Sequence, residues 1–339
     1  MNRMSDTDER TLDDALSAPT GATKEVLSGL VGDVVVLGAG GKMGPTLAMM
    51  LKKASKDRRI YAISRFSDRS VKAKIEDAGI DAIAMDLLEE SIYSELPDAQ
   101  NVFYLVGMKF GSIANQPLTW ALNSYVPTLV ARRYKDSRIV ALSTGNVYPL
   151  VDISSSGASE KTQPSPIGEY AQSCLGRERM FEHFSTVHGT PVSLIRLNYA
   201  NEPRYGIIVD LTMKILSDKP IDLTTGAVNL IWQRDANDYI IRSASMSQSP
   251  PAILNVTGPG AVPVCELADR IGKMLGKAPK FVSQESQTAL LSDASLCFSL
   301  FGYPQTTLDE MIDHIVQWVK SGKRVLNKPT KYDVRDGGF

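Results

Sequence analysis

Residues Asp33 to Met50 read Asp-Val-Val-Val-Leu-Gly-Ala-Gly-Gly-Lys-Met-Gly-Pro-Thr-Leu-Ala-Met-Met. Four apolar residues, Val34 to Leu37, have the length and character of a short buried strand. Gly38, Gly41 and Gly44 follow at even spacing, and an apolar helix then begins. Strand, glycine loop and helix in this order are how a βα unit holds the diphosphate of a dinucleotide. Gly38 permits the tight turn, Gly41 lets backbone approach phosphate, and Gly44 lets the helix pack close to the strand. Pro45 suits the first helical turn, where its missing N–H costs nothing. A glycine triplet alone is weak evidence, because a tight turn without a ligand gives the same pattern. Lys42 and Met43 sit in the loop as further cofactor-binding candidates. With Met49 and Met50, Met43 also reads as core packing.

Working outward, strand and helix alternate through the first half of the chain. Strands are expected at Arg59–Ser64, Ala82–Met85, Asn101–Val106, Arg138–Ser143 and Val192–Leu197, with helices at about 116–133 and 170–188. This alternation predicts an α/β, Rossmann-like, doubly wound parallel sheet covered on both faces, with ligands beyond the carboxyl ends of the strands. The second half is less regular. Ile207–Ser217, Val264–Leu275 and Leu308–Val319 read as helices, Ile253–Thr257 as a strand, and Asn229–Asp235 as a strand followed by a turn. The expected division is an N-terminal arm over 1–31, a dinucleotide-binding domain over 32–197, a smaller and mainly substrate-binding α/β lobe over 198–326, and a polar, extended tail over 327–339.

Composition narrows the class. The 339 residues are 43% hydrophobic and 22% charged, as in a globular protein, and the net charge of −1 argues against a nucleic-acid partner. Three widely separated cysteines and three histidines form no metal-ligand spacing, so no metal is expected and a reducing, cytoplasmic compartment is. No apolar run is long enough to span a membrane, and the polar, acidic start (Ser5 to Arg10) does not read as a signal peptide.

Further motifs follow the glycine loop: Asp86-Leu87 after the third strand, Val106-Gly107-Met108-Lys109 after the fourth, Leu142-Ser-Thr-Gly-Asn-Val-Tyr148, Tyr170-Ala-Gln-Ser-Cys174, Ile195-Arg-Leu-Asn198, Trp232-Gln-Arg-Asp235 and Leu254-Asn-Val-Thr-Gly258. Over about residues 32–320 the chain resembles the extended short-chain dehydrogenase/reductase superfamily, in its NAD(P)-dependent epimerase/dehydratase group. The resemblance implies a carbohydrate-metabolising oxidoreductase or epimerase/dehydratase acting on a sugar, sugar acid or nucleotide sugar. Tyr170 is then the acid/base and Thr144 its hydroxyl partner. Asp86 and Leu87 would lie by the adenine, and Val106, Gly107 and Lys109 behind the nicotinamide ribose. Asn198, Asn201 and Arg234 are candidates for substrate contact. The family commonly forms homodimers through two helices of each subunit, here about 116–133 and 168–188.

The chain departs from the family in one place. A phenol ionises near about 10 and is a poor base at neutral pH. The family therefore sets a lysine four residues after the tyrosine, where it lowers the phenol pKa and binds the cofactor ribose. Here that residue is Cys174. Three readings stay open: another cation, Arg177 or Lys109, takes over; the reaction is slow or needs no strong base; or the chain is a weakly catalytic or inactive dinucleotide-binding sensor or partner protein. On the cofactor itself, the second strand ends in Ser64-Arg65 rather than in a carboxylate. A hydroxyl and a guanidinium suit the 2′-phosphate of NADP, with NAD the second choice and Lys42 adding charge nearby.

Overall fold

The structure is a computed structural model describing residues 8–109 and 111–338. The first seven residues of the expected arm, and Phe339 of the tail, lie outside it. Seven strands form one fully parallel sheet: β1 (Val34–Leu37), β2 (Ile60–Ser64), β3 (Asp81–Ala84), β4 (Asn101–Tyr104), β5 (Arg138–Thr144), β6 (Val192–Leu197) and β7 (Ala252–Val256). Their order is β7-β6-β5-β4-β1-β2-β3, so the chain starts in the middle and winds outward in both directions. β1 pairs with β2 through Val34–Ile60 and with β4 through Val34–Asn101. All four residues of β1 are buried, as befits a central parallel strand read as an unbroken apolar run.

Each face of the sheet carries its own apolar layer. One packs Val34, Val36 and Phe103 of the sheet against Leu47 and Met50 of helix α3 (Gly44–Ala54). The other holds Val35, Leu37, Tyr104, Val126 and Phe181. A third apolar cluster, around Ile208, Leu211, Leu267, Ile315 and Trp318, is the core of the smaller C-terminal lobe.

Three findings differ from the sequence reading. The arm carries two capped helices, Glu9–Leu16 and Gly21–Gly29, with Asp8 and Thr20 as their N-caps. The strand expected over Asn229–Asp235 shrinks to Ile231–Trp232, paired with Ala200–Asn201, and a helix runs over Gln233–Arg242. That helix buries Ala236, Tyr239 and Ile240 in the core, and beside this stripe it also buries polar side chains. Gln233 and Asn237 both donate to the Thr46 hydroxyl at 3.0 Å, which lets amides pack against α3 where leucines are the usual choice. The strand over Ala252–Val256 returns to the main sheet beside β6, so chain from beyond residue 197 completes the Rossmann layer.

Candidate active site

The cofactor side is shaped by what glycine omits. Gly38 has φ +84°, and a Cβ there would stand 2.8 Å from the Leu105 carbonyl carbon. A Cβ on Gly44 would collide with the Ala39 backbone, so helix α3 rests directly on the loop. Gly38, Gly40 and Gly41 line one side of a groove of about 530 Å³. Ser64, Arg65, Asp86, Leu87, Val106, Gly107 and Lys109 line the remainder, so the expected adenine, ribose and nicotinamide segments converge on one groove. The residues present fit a dinucleotide: a side-chain-free cradle opens at the start of a helix, with a strand-end guanidinium beyond it.

The loop after β4 is held against this groove by Asn123. Asn123 sits in a π-helical turn (Ala121–Tyr125) between helices Gln116–Trp120 and Val126–Arg133. Its carboxamide accepts from the Met108 N–H at 2.9 Å and donates to the Met108 carbonyl at 3.1 Å. It also accepts from the guanidinium of Arg177 at 2.8 Å, and Arg177 donates to the Leu142 carbonyl at 2.7 Å. Arg177 therefore ties the β4 loop to the end of β5.

Beyond the groove lies a second cavity of about 180 Å³, and Lys109 borders both. Thr144 ends β5, and Tyr170 lies in the first turn of helix α7 (Gly168–His188). Both line the second cavity, and Thr144 hydrogen-bonds the Tyr170 hydroxyl. Asn146 accepts from the Thr144 hydroxyl at 2.9 Å. The scaffold below is a buried ion pair. Glu178 of α7 receives Arg196 of β6 at 2.6 Å and the Ser143 hydroxyl at 2.6 Å. Arg196 also donates to the Tyr148 hydroxyl at 2.8 Å, which donates to Asn255 at 2.8 Å. Helix α7, strands β5, β6 and β7 and the turn at Tyr148 are thereby fixed to one another around Thr144 and Tyr170.

A model of the family described as "NAD dependent epimerase/dehydratase family" matches residues 34–228. The chain belongs to the NAD-dependent epimerase/dehydratase family. None of the curated proteins compared with it matches. Among solved structures, it is similar to MoeE5 in complex with UDP-glucose and NAD, at 21% identity and a TM-score of 0.72 over 86% of this chain and 99% of that one. It is also similar to the UDP-glucuronic acid 4-epimerase of Bacillus cereus in complex with NAD, at 19% identity and 0.71, over 85% and 98%. A third is the dTDP-glucose 4,6-dehydratase of Bacillus anthracis str. Ames in complex with NAD, at 15% identity and 0.74, over 86% and 97%. At these identities the likeness is one of fold.

Against the family pattern, the structure sorts the other expected residues. Cys174 is fully buried under Tyr170, among Val147, Tyr148 and Ala158, and does not line the groove. Burial pushes its thiol pKa up, so it sits there as a neutral group. Lys42 turns away from Ser64-Arg65. Its ammonium donates to the Ala200 carbonyl at 2.6 Å, lies 3.9 Å from the Tyr205 ring centre, and borders the second cavity. Met43 lines the same cavity, as does Asn198. Asn201 is buried and accepts from the Ile208 N–H at 3.3 Å, at the start of the helix Ile207–Leu216. Arg234 faces elsewhere, donating to the Ala18 carbonyl at 3.1 Å and to Gln305 at 2.6 Å. Sequence reading missed Tyr205, Asn146 and Thr330 as lining residues. Asn146 lay within a quoted motif; the other two carried no local signal. Among the described residues no cluster can hold a metal ion, and no helix is long and apolar enough to cross a membrane.

Proposed function

We propose that this chain is an NAD(P)-dependent oxidoreductase or epimerase/dehydratase acting on a carbohydrate, with Tyr170 as acid/base and Thr144 as its hydroxyl partner. One observation carries the reading: the Tyr170–Thr144 pair faces a cavity that meets the dinucleotide groove at Lys109. The cofactor, when bound, supplies or accepts the hydride. Tyr170 takes or returns the proton of the substrate hydroxyl, and Thr144 orients that hydroxyl.

The missing family lysine sharpens the chemistry. Burial and the neighbouring Cys174 push the Tyr170 pKa well up, while Arg177 and the Thr144 hydrogen bond pull it down. Lys109 lies 5.9 Å from the Tyr170 ring centre. We assign to Lys109, assisted by Arg177, the electrostatic part that the family gives to the lysine replaced by Cys174. Tyr170→Phe is expected to lower kcat by about 100- to 10,000-fold while cofactor affinity stays within about threefold. Absorbance of the reduced cofactor, with a sugar panel, measures the first; cofactor titration measures the second. Cofactor binding with no turnover on any sugar supports the second reading, a dinucleotide-binding sensor or partner protein, which the raised Tyr170 pKa favours.

For the cofactor we favour NADP, since Ser64 and Arg65 at the end of β2 line the groove and suit a 2′-phosphate there. We take 32–197 as mainly cofactor-binding and 198–326 as mainly substrate-binding. A homodimer through 116–133 and 168–188 suits the exposed Trp120 and Tyr125 on the first of these segments. The free thiols Cys174, Cys265 and Cys297 suit the cytoplasm.

A further inference from the structure

The C-terminal tail is a strap that contributes Thr330 to the wall of the substrate cavity. Thr330 lines that cavity and is itself buried. Its N–H and hydroxyl donate to Asp210 at 2.7 and 2.6 Å, and its carbonyl accepts from Lys109 at 3.1 Å. Further along, Asp333 pairs with Lys214 at 3.2 Å, and Arg335 donates to the Thr288 carbonyl at 2.6 Å. Gly337 then lies on Gly168, at the start of the helix bearing Tyr170, so closely that a Cβ on Gly168 would stand 2.7 Å from the Gly337 Cα. The strap is thus held at both ends and in the middle.

The space left beneath it is small. Drug-sized ligands occupy pockets of roughly 300–1,000 Å³, whereas a cavity of about 150 Å³ takes a single six-membered ring. The cavity here is about 180 Å³. A single sugar ring fits it; a sugar with a nucleoside diphosphate attached does not while the strap is in place.

Charge selects further. Lys42 and Lys109 both border the cavity; burial lowers the readiness of each to hold a proton, and Lys109 adds to this at Lys42. Asp210 does not line the cavity and is engaged by Thr330, and Glu202 pairs with Arg204 at 3.1 Å. Two buried lysines therefore line the cavity, and the carboxylates whose charge reaches them, Asp210 and Glu202, stand outside its lining. No arginine borders the cavity among the described residues, so an anion there meets compact ammonium charges rather than a planar fork. Thr144, Asn146, Asn198 and Tyr170 offer hydroxyl and amide groups for the hydroxyls of a sugar.

We propose that the substrate is a free sugar acid of monosaccharide size, its carboxylate held by Lys42 and Lys109 and its hydroxyls by the Thr144–Tyr170 wall, and that nucleotide sugars are excluded by the 327–338 strap. This rests on reading the cavity as the substrate site.

The test is calorimetric titration of the full chain, loaded with oxidised NADP at neutral pH. The ligands are matched pairs: D-glucuronate against D-glucose, D-galacturonate against D-galactose and L-threonate against L-threitol. UDP-glucuronate and glucose 6-phosphate complete the set. At least one acid should bind ten times or more tighter than its neutral partner, with no detectable binding of UDP-glucuronate. Lys42→Met should erase that preference, while leaving affinity for the cofactor within about threefold. Equal binding of acid and neutral sugar, binding of UDP-glucuronate or glucose 6-phosphate in preference, or binding of none of the set overturns the proposal. Turnover is read separately from cofactor absorbance. A sugar acid that binds and is not turned over by any variant or cofactor form tells against the catalytic reading, and leaves the assignment of the ligand standing.

Discussion

The dinucleotide groove and the substrate cavity share Lys109 yet are built on different physics. The groove, about 530 Å³, is made largely of backbone: glycines that leave room, a helix start and the carboxyl ends of strands. The cavity, about 180 Å³, is made largely of side chains drawn from residues 42 to 330, the last of them on the C-terminal tail. A groove made of backbone accepts the same ligand in many sequences. A cavity made of side chains can change its ligand with few substitutions. Here Lys42 stands on the cavity wall, and Cys174 stands behind the tyrosine where the family resemblance implies a lysine.

The largest expected effect separates the two regions by their supports. Glu178 neutralises Arg196 and accepts from Ser143 beneath the cavity, and none of these three borders the groove. Removing one partner of a buried ion pair strands the other charge. Glu178→Ala is expected to lower unfolding free energy by about 3–5 kcal/mol. Denaturant titration checks this, and Glu178→Gln, which keeps acceptor atoms, should cost less. Equal stability of Glu178→Ala and the parent would show that the network is not what fixes the cavity wall.

The same contrast explains what could be read from sequence. Gly38, Gly41 and Gly44 announce the groove because turn, helix start and ligand contact all lie within one βα unit. Thr144 and Tyr170 were also legible, since a strand end and a helix start bring them together through the parallel pairing of the sheet. The direction of Lys42 was not. A lysine in a phosphate loop reads as phosphate charge, but here its stem passes to Tyr205 and Ala200, more than 150 residues later in the chain. Thr330 is further still, and a polar tail carries no periodicity that tells a strap from a loose end. The helix Gln233–Arg242 is hidden for a related reason: ahead of and beside its apolar Ala236, Tyr239 and Ile240 it buries amides and carboxylates, satisfied by Thr46 and by neighbours that only the fold supplies. Arg234 pairs with its sequence neighbour Asp235 at 3.0 Å and also meets the arm at Ala18, a contact that nothing near it in sequence shows.

A smaller effect tests the charge of the groove. Arg65 borders it with a side chain 58% exposed, and its nearest carboxylate, Asp86, is 4.0 Å away. A guanidinium so placed can turn to a 2′-phosphate without leaving a buried partner behind. Arg65→Ala is expected to weaken NADP about tenfold, or about 1.4 kcal/mol, and to leave NAD within about twofold. Dissociation constants for both cofactors with both proteins check it. Parallel loss for the two cofactors would mean that Arg65 acts on the adenine, a part they share.

The smallest effect tests the charge of the cavity through pH. Burial depresses Lys42 to about 7, with Lys109 and Arg204 pushing the same way and Glu202 and Asp210 opposing. Burial depresses Lys109 to about 8, opposed by Cys174 and Asp210 and assisted by Lys331. Both values lie below that of an ordinary lysine, so each ammonium is held at pH 6 and is lost as pH rises through 7 and 8. A carboxylate stays ionised throughout and binds the protonated pair. Its arrival also raises both lysine values, so the bound state keeps its protons to higher pH and the dependence is shallower than that of deleting a lysine. Affinity for a sugar acid is therefore expected to fall as pH rises, by about fivefold, or about 1 kcal/mol, between pH 6 and pH 9. The neutral partner sugar should show no such fall. Titration of both across that range distinguishes charge from fit: if acid and neutral sugar weaken together, the cavity itself is changing shape with pH, and if neither weakens, the carboxylate sits away from Lys42 and Lys109.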